Sequence, residues 1–224
     1  MPLAPDSKVE KWLRWLDTIK QEVISMHGQR DTYRTVARIT QDHGELPPSR
    51  FFDYLSMWYA ASQGVAVRRQ AEVSRRVVSL GSLLAEIAED PARLSAARYI
   101  ALGEEDWQRQ MLAADFQRDF GGVVGEHVDP ALVQADLETL TAAAQRTKDW
   151  VDRHVAHTDI PELPAVPTFA VINEAIDAIG TTFNRYSVIF TAASWHTLEP
   201  VVQYDWTAAF REAWIRPGTE ANYR

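Results

Sequence analysis

The chain contains no cysteine. That removes disulfides, zinc–thiolate sites and cysteine nucleophiles together, and leaves the protein indifferent to redox compartment. No run approaches the ~20 apolar residues of a membrane span. The N-terminus, Met1 to Ser7, has neither the basic nor the apolar region of a signal peptide. No strand-like alternation is long enough to build a sheet, and no segment repeats or falls to low complexity. Gly121-Gly122-Val123-Val124-Gly125 lacks a preceding strand and a Lys-Ser/Thr, so it fails as a phosphate loop. No Gly-x-Ser-x-Gly elbow is present. Basic character is scarce as well: the net charge of −8 argues against a broad nucleic-acid footprint, though a small phosphate-reading site remains compatible with it. The default expectation is a soluble cytoplasmic protein of bacterial type.

What is present is helical periodicity. The 224 residues are 46% hydrophobic, with eight Trp and eight Phe, enough for a real core. Val9, Trp12, Leu13, Leu16, Ile19 and Val23 form a stripe after an Asp6/Ser7 cap. A shorter helix is expected over 31–41, stopping at Gly44. Pro47-Pro48 open an element with Phe51, Phe52, Tyr54, Leu55, Trp58 and Tyr59, read as a central, heavily buried helix running into Val67-Arg68-Arg69-Gln70. Ser74 or Arg75 is expected to open a helix with Val77, Leu80, Leu83, Leu84 and Ile87 that ends near Asp90-Pro91. One or two helices follow around Tyr99, Trp107, Met111 and Phe116. Asp129-Pro130 is an N-cap and N1 pair starting a helix extended to about Thr158. A stiff proline-bearing loop over 160–167 precedes a helix carrying Phe169, Ile172, Ile176, Ile179, Phe183, Tyr186 and Phe190. Residues 204–214 read as a short helix docking its aromatics on the body. The fold class is all-α: four to five long helices with additional short ones, in a single domain over 1–224. Within it, 1–45 holds the N-terminal helices, 93–125 is either part of the bundle or an insertion, and 200–224 is a docking tail.

Chemistry concentrates near the end of the Asp129 helix. Asp149, Arg153 and His157 stand at i, i+4, i+8 and share one stripe. At ~100° per residue the core face is Val133, Leu137, Leu140, Ala144, Val151 and Val155, with His154 and Trp150 at its border. Two readings follow. Helix ends favour Arg and His because the macrodipole is negative there, and Asp149 precedes Arg153 in the favourable ion-pair order. Alternatively, His157 moves a proton while Arg153 steadies a phosphate in phosphodiester cleavage. His154, His157, Asp159 and Glu162 could be considered for metal, but no His-Glu-x-x-His or Glu-x-x-His element supports them, so no metal and no cofactor are assigned. His27, His43, His127 and His196 read as surface or capping histidines. Arg68-Arg69 and Arg75-Arg76 are either a solvated helix end paired with nearby acids or an edge that contacts phosphate.

Three blocks resemble a family: Tyr59 to Gln70 followed by Val78 to Ile87; Trp150 to Asp159; and Asp205-Trp206 to Phe210 followed by Trp214-Ile215. Together, from about Phe51 to Trp214, they resemble the abortive-infection, AbiU-type branch of the HEPN superfamily. The resemblance implies an all-α bundle, often homodimeric, from toxin–antitoxin or phage-defence systems, with an antitoxin or nucleotidyltransferase as partner and RNA as substrate. Many members are metal-independent endoribonucleases. Their motif is an arginine, commonly a polar residue, then a histidine after four to six intervening residues. Arg153, His154 and His157 match these roles, with Asp149 and Asp152 in support and Arg68 and Arg69 as phosphate or RNA contacts. The departure is the spacing: three residues separate Arg153 from His157, and the other pairing, Arg146 with His154, has seven. The alternative is a non-catalytic helical dimerisation or interaction module carrying a degenerate motif. A third reading is a nucleotide-binding helical protein gripping phosphate through Arg68 and Arg69.

Overall fold

The structure, a computed structural model, describes residues 6–42, 49–122, 125–155, 166–212 and 218. Among them the fold is all-α. Among the described residues the one β contact is an isolated bridge between Ser95 and His127, and no helix is long and apolar enough to cross a membrane.

Helix α1 (Ser7–Asp42) is a single helix of 36 residues, about 54 Å long at 1.5 Å per residue, where two helices were expected. Asp6 caps it, its Oδ1 accepting from the backbone N–H of Lys8 at 3.0 Å and of Val9 at 3.3 Å. Gly28 does not end it. A Cβ there would meet Pro200 Cγ at 2.8 Å, so the glycine serves close packing instead of termination. The buried stripe therefore continues past Val23 through Met26, His27 and Arg30.

Helix α2 (Arg50–Ala71) starts at Ser49, whose hydroxyl accepts from Phe51 N–H. Its two halves differ. Tyr59, Gln63, Gly64, Val67 and Gln70 are buried, as expected of a central helix. Phe51, Tyr54, Met57 and Trp58 are not: they are 47–58% exposed. The aromatic density of the first half reports a surface ridge, not the core.

Helix α3 (Leu80–Glu89) begins later than Ser74. Ser79 is its N-cap, accepting from Ser82 N–H at 3.0 Å, and its own hydroxyl donates to the Glu72 carbonyl. Ser82 donates to the Ser74 carbonyl at 2.9 Å. These serines fasten the turn between α2 and α3 and hold it out of the helix. A 3-10 turn (Pro91–Arg93), α4 (Ala96–Ile100) and α5 (Asp106–Asp119) follow. Tyr99, Leu112, Phe116 and Phe120 from this stretch belong to the same buried cluster as Trp12, Leu84 and Phe183.

Helix α6 (Pro130–Trp150) opens as its sequence requires, with Asp129 accepting from Ala131 N–H and Pro130 at the first position. It does not continue as an α-helix toward Thr158: Val151–Val155 form a π-helical turn. Helix α7 (Phe169–Thr191) is capped by Thr168 and runs through the middle, with Ile172, Ile176, Ile179, Phe183, Tyr186 and Phe190 all buried. Helix α6 packs on α2, α3 and α7, while α1 packs on α2 and α7. Past α7 the chain folds back along α1 and ends its described part in a 3-10 turn (Trp206–Arg211). In that turn Trp206 and Phe210 are half-buried, while Tyr204 before it is 73% exposed; Trp214 lies outside the described residues.

Candidate functional site

The π turn sits where α6 meets α2. Gly64 makes this approach possible, because a Cβ there would lie 2.8 Å from both Trp150 Cζ3 and Val151 Cγ2. Trp150 and Val151 are buried in consequence. Sequence reasoning had Trp150 at the border of the core face, and the contact with Gly64 explains why it lies inside.

The π turn also breaks the expected stripe. Its hydrogen bonds run five residues apart instead of four, so positions four apart no longer align. Asp149 accepts from Gln145 Nε2 at 2.7 Å and makes no ion pair with Arg153 among the described residues. Asp152 takes a different partner: its carboxylate is ion-paired to the Arg68 guanidinium. Arg153, the next residue, is exposed and has no ion pair among the described residues. Two segments selected separately from the sequence, the arginines ending α2 and the motif ending α6, thus meet in one corner.

Of the other predicted residues, Arg69 turns to α1 and pairs with Glu22 Oε1 at 2.9 Å, while Gln70 donates to Glu22 Oε2 at 2.6 Å. Arg75 approaches Glu89 at 3.5 Å. That is the solvated, acid-paired arrangement weighed for this arginine group, and it leaves Arg69 away from the corner. His157, Asp159 and Glu162 lie outside the described residues, and His154 is described by its backbone alone. Among the described residues no group of three His, Asp or Glu side chains could hold a metal ion.

A second cluster was missed. His27, expected at the surface, is buried in the middle of α1. Its Nδ1 lies 3.0 Å from Arg30 Nη2. A guanidinium only donates, so Nδ1 accepts and the ring proton resides on Nε2. Arg30, equally buried, reaches Asp177 Oδ1 on α7 at 2.5 Å and the Asn173 carbonyl at 3.5 Å. Asn173 Oδ1 accepts from Tyr59 Oη at 3.0 Å, and Tyr59 stacks on Tyr33 with centroids 4.2 Å apart. Burial, assisted by the charges of Arg30 and Arg34, pushes the His27 imidazole down to about 4. Burial lifts the Tyr59 phenol to about 12. The signal was legible: the spacing Val9, Trp12, Leu16, Ile19, Val23, Met26 continues at Arg30, which marks 27 and 30 as core-side positions.

Beside the π turn lies an apolar cavity of about 830 Å³, lined by Met57, Trp58, Ala61, Trp150, Val166 and Phe169 among others. It joins the exposed aromatic ridge of α2 to the start of α7.

Compared with known proteins, residues 9–208 match the family described as AbiU2, a HEPN family. No curated protein and no solved structure matches the chain.

Proposed function

Because the chain belongs to the AbiU2 family of HEPN proteins, of abortive-infection type, we propose that it is a defence effector that cleaves RNA at the corner between α2 and the π turn. One observation carries this reading. The Arg68–Asp152 ion pair brings the α2 terminus to the motif while leaving Arg153 exposed and unpaired among the described residues.

In this reaction the ribose 2′-hydroxyl attacks the adjacent phosphorus and the 5′-oxygen departs, leaving a 2′,3′-cyclic phosphate and a 5′-hydroxyl end. His157 relays the proton. Arg153 holds the non-bridging oxygens as charge builds on them. Arg68, released from Asp152 or sharing it, adds a second phosphate contact. His154, the polar residue of the motif, and Asp149 complete the proposed site. The chemistry assigned to these side chains requires no metal ligand.

The active form is a homodimer. Phe51, Tyr54, Met57 and Trp58 on α2, with Val166 and Phe169 beside them, are 39–60% exposed and contiguous with the apolar cavity. Covering such a ridge would remove several hundred Å² per copy, on the order of the ~800 Å² per partner of a standard interface. Helix α2 would then carry the dimer contact at one end and Arg68 at the other.

The test is purified protein with total RNA in chelator, beside His157→Ala, Arg153→Ala and Trp58→Asp. Cleavage that falls at least about 100-fold in the first two variants and weakens as Trp58→Asp becomes monomeric supports the reading. No cleavage, or equal cleavage by His157→Ala, overturns it. The non-catalytic dimer is then the reading that stands, and the three-residue gap between Arg153 and His157 favours it.

A further inference from the structure

The His27 cluster does not face the motif corner. It forms the floor of a separate cleft of about 440 Å³ between α1, α7 and the returning chain at 193–200. That volume lies within the range of small-molecule sites. His27 and Arg30 supply the floor, Asp177, Thr181 and Asn184 one side, and Trp195 to Glu199 the other.

The returning chain is fastened in place. Asn184 brackets Trp195, its Oδ1 accepting from Trp195 N–H at 2.7 Å and its Nδ2 donating to Trp195 O at 3.4 Å. The indole N–H of Trp195 donates to Ser187 Oγ at 3.2 Å. Lys20 lies over the ring, 4.6 Å from its centroid. Pro200 fills the space left by Gly28. This wall is built, not a loose loop beside a groove.

The floor carries donors without acceptors. His27 is 93% buried and Arg30 95% buried, and among the described residues neither His27 Nε2 nor Arg30 Nε has a hydrogen-bond partner. The tautomer fixed by Arg30 makes His27 Nε2 a donor. Burying such donors without an acceptor is unfavourable, so an acceptor is expected opposite them. Gly180 lets α7 lie against the imidazole: a Cβ there would lie 2.7 Å from Nε2 and 3.0 Å from Leu198 Cδ1. Glycine is disfavoured inside a helix relative to alanine, and here it spares the ring edge the clash that a methyl group would bring.

We propose that this cleft binds the oxyanion of a small organic phosphate or carboxylate, with His27 Nε2 and Arg30 donating to it and the Trp195 ring flanking the remainder of the ligand. Charge favours an anion at the floor. The groups acting on His27 are the cations of Arg30 and Arg34 against the single carboxylate of Asp177. Asp177 is the competitor for Arg30, and its side chain is 62% exposed, so it can turn to solvent when an oxyanion arrives. Glu199 on the rim sets the limit on how much negative charge the ligand carries.

The experiment is titration of the full chain with inorganic phosphate, with acetate and with an adenosine monophosphate, read by heat and by the ring resonances of His27. Wild type should bind at least one of them with a shift of the His27 Nε2–H signal. Asp177→Asn should tighten binding about five-fold or more by freeing Arg30, and Gly180→Ala should weaken it about ten-fold by capping Nε2. Preference for phosphate over acetate, or the reverse, identifies which oxyanion is taken. Absence of any His27 shift with all three probes overturns the proposal. So does weaker binding in Asp177→Asn, which would show that the ligand is held through the carboxylate. If Gly180→Ala fails to fold, the Asp177→Asn result decides alone, since that side chain is at the surface.

Discussion

The molecule holds two arginine-centred clusters that resemble each other in composition and differ in every physical respect. Around Arg30, a histidine, an aspartate and a tyrosine relay are locked between α1, α2 and α7, with the guanidinium side chain only 6% exposed. Around Arg68, Asp152 and Arg153, the pair is 41% and 37% exposed at the rim of α2. The first is pre-organised by burial, and desolvation has already selected the neutral imidazole. The second is wet, adaptable and close to a cation with no ion pair among the described residues. Burial gives a cluster geometry and a shifted protonation state; exposure gives it access to a large charged substrate. A chain of net charge −8 can contact a polyanion only where a cation is left locally uncompensated.

The largest effect expected from breaking this contrast is at Arg30. Replacing it with Met keeps the stem but removes the bonds to Asp177, the Asn173 carbonyl and His27 Nδ1. The loss should be about 2–3 kcal/mol, because a buried imidazole nitrogen is left unpaired; chemical denaturation measures it. A loss below about 1 kcal/mol would mean that the cluster is not structurally important.

A smaller effect concerns pH. His27 has a folded value of about 4 against an ordinary 6.5. The folded state favours the neutral ring, so the unfolded chain binds more protons between these values. Stability is thus fully present above about pH 6.5 and is lost progressively as pH falls toward 4. The charged and titratable groups around the ring are Arg30 and Arg34 on α1, Asp177 on α7, and His196 and Glu199 on the returning chain. His27→Gln should flatten the stability profile across that window. An unchanged slope would show that another group titrates there.

The smallest stability effect is at the other cluster. Arg68→Ala removes an exposed pair and should change stability by less than about 1 kcal/mol. RNA cleavage or binding should nevertheless fall, most at low salt, and its dependence on salt should become shallower. A large stability loss with intact RNA contact would reverse the contrast between the two clusters.

The same contrast explains what could be read from the residues alone. Helix content, the Asp129-Pro130 start and the apolar stripe of α7 were legible because capping chemistry and 3.6-residue periodicity are local. The α2–α6 corner was half legible: Arg68 and Arg153 were selected, but that Asp152 and not Asp149 takes up an arginine depends on a π turn that no residue pattern announces. The exposed ridge was misread as core because aromatic residues carry no label for which surface they cover. His27 was misread for a different reason: Gly28 suggested a turn beside it, whereas one continuous helix carries the stripe on to Arg30, which satisfies the ring.

The turn Val151–Val155 holds one more residue than an α-helical path of the same span would need. Losing a single residue there would let the segment revert to ordinary α-helix at little thermodynamic cost. The register beyond the turn would be kept, because the wider turn is what absorbs the extra residue, while within it the partner of Arg68 and the side chain beside it would take new bearings. Length variation at this one place is therefore a means of changing which side chains the corner presents without rebuilding the bundle, and a chain shortened by one residue there is expected to fold normally with Arg68 facing a different neighbour.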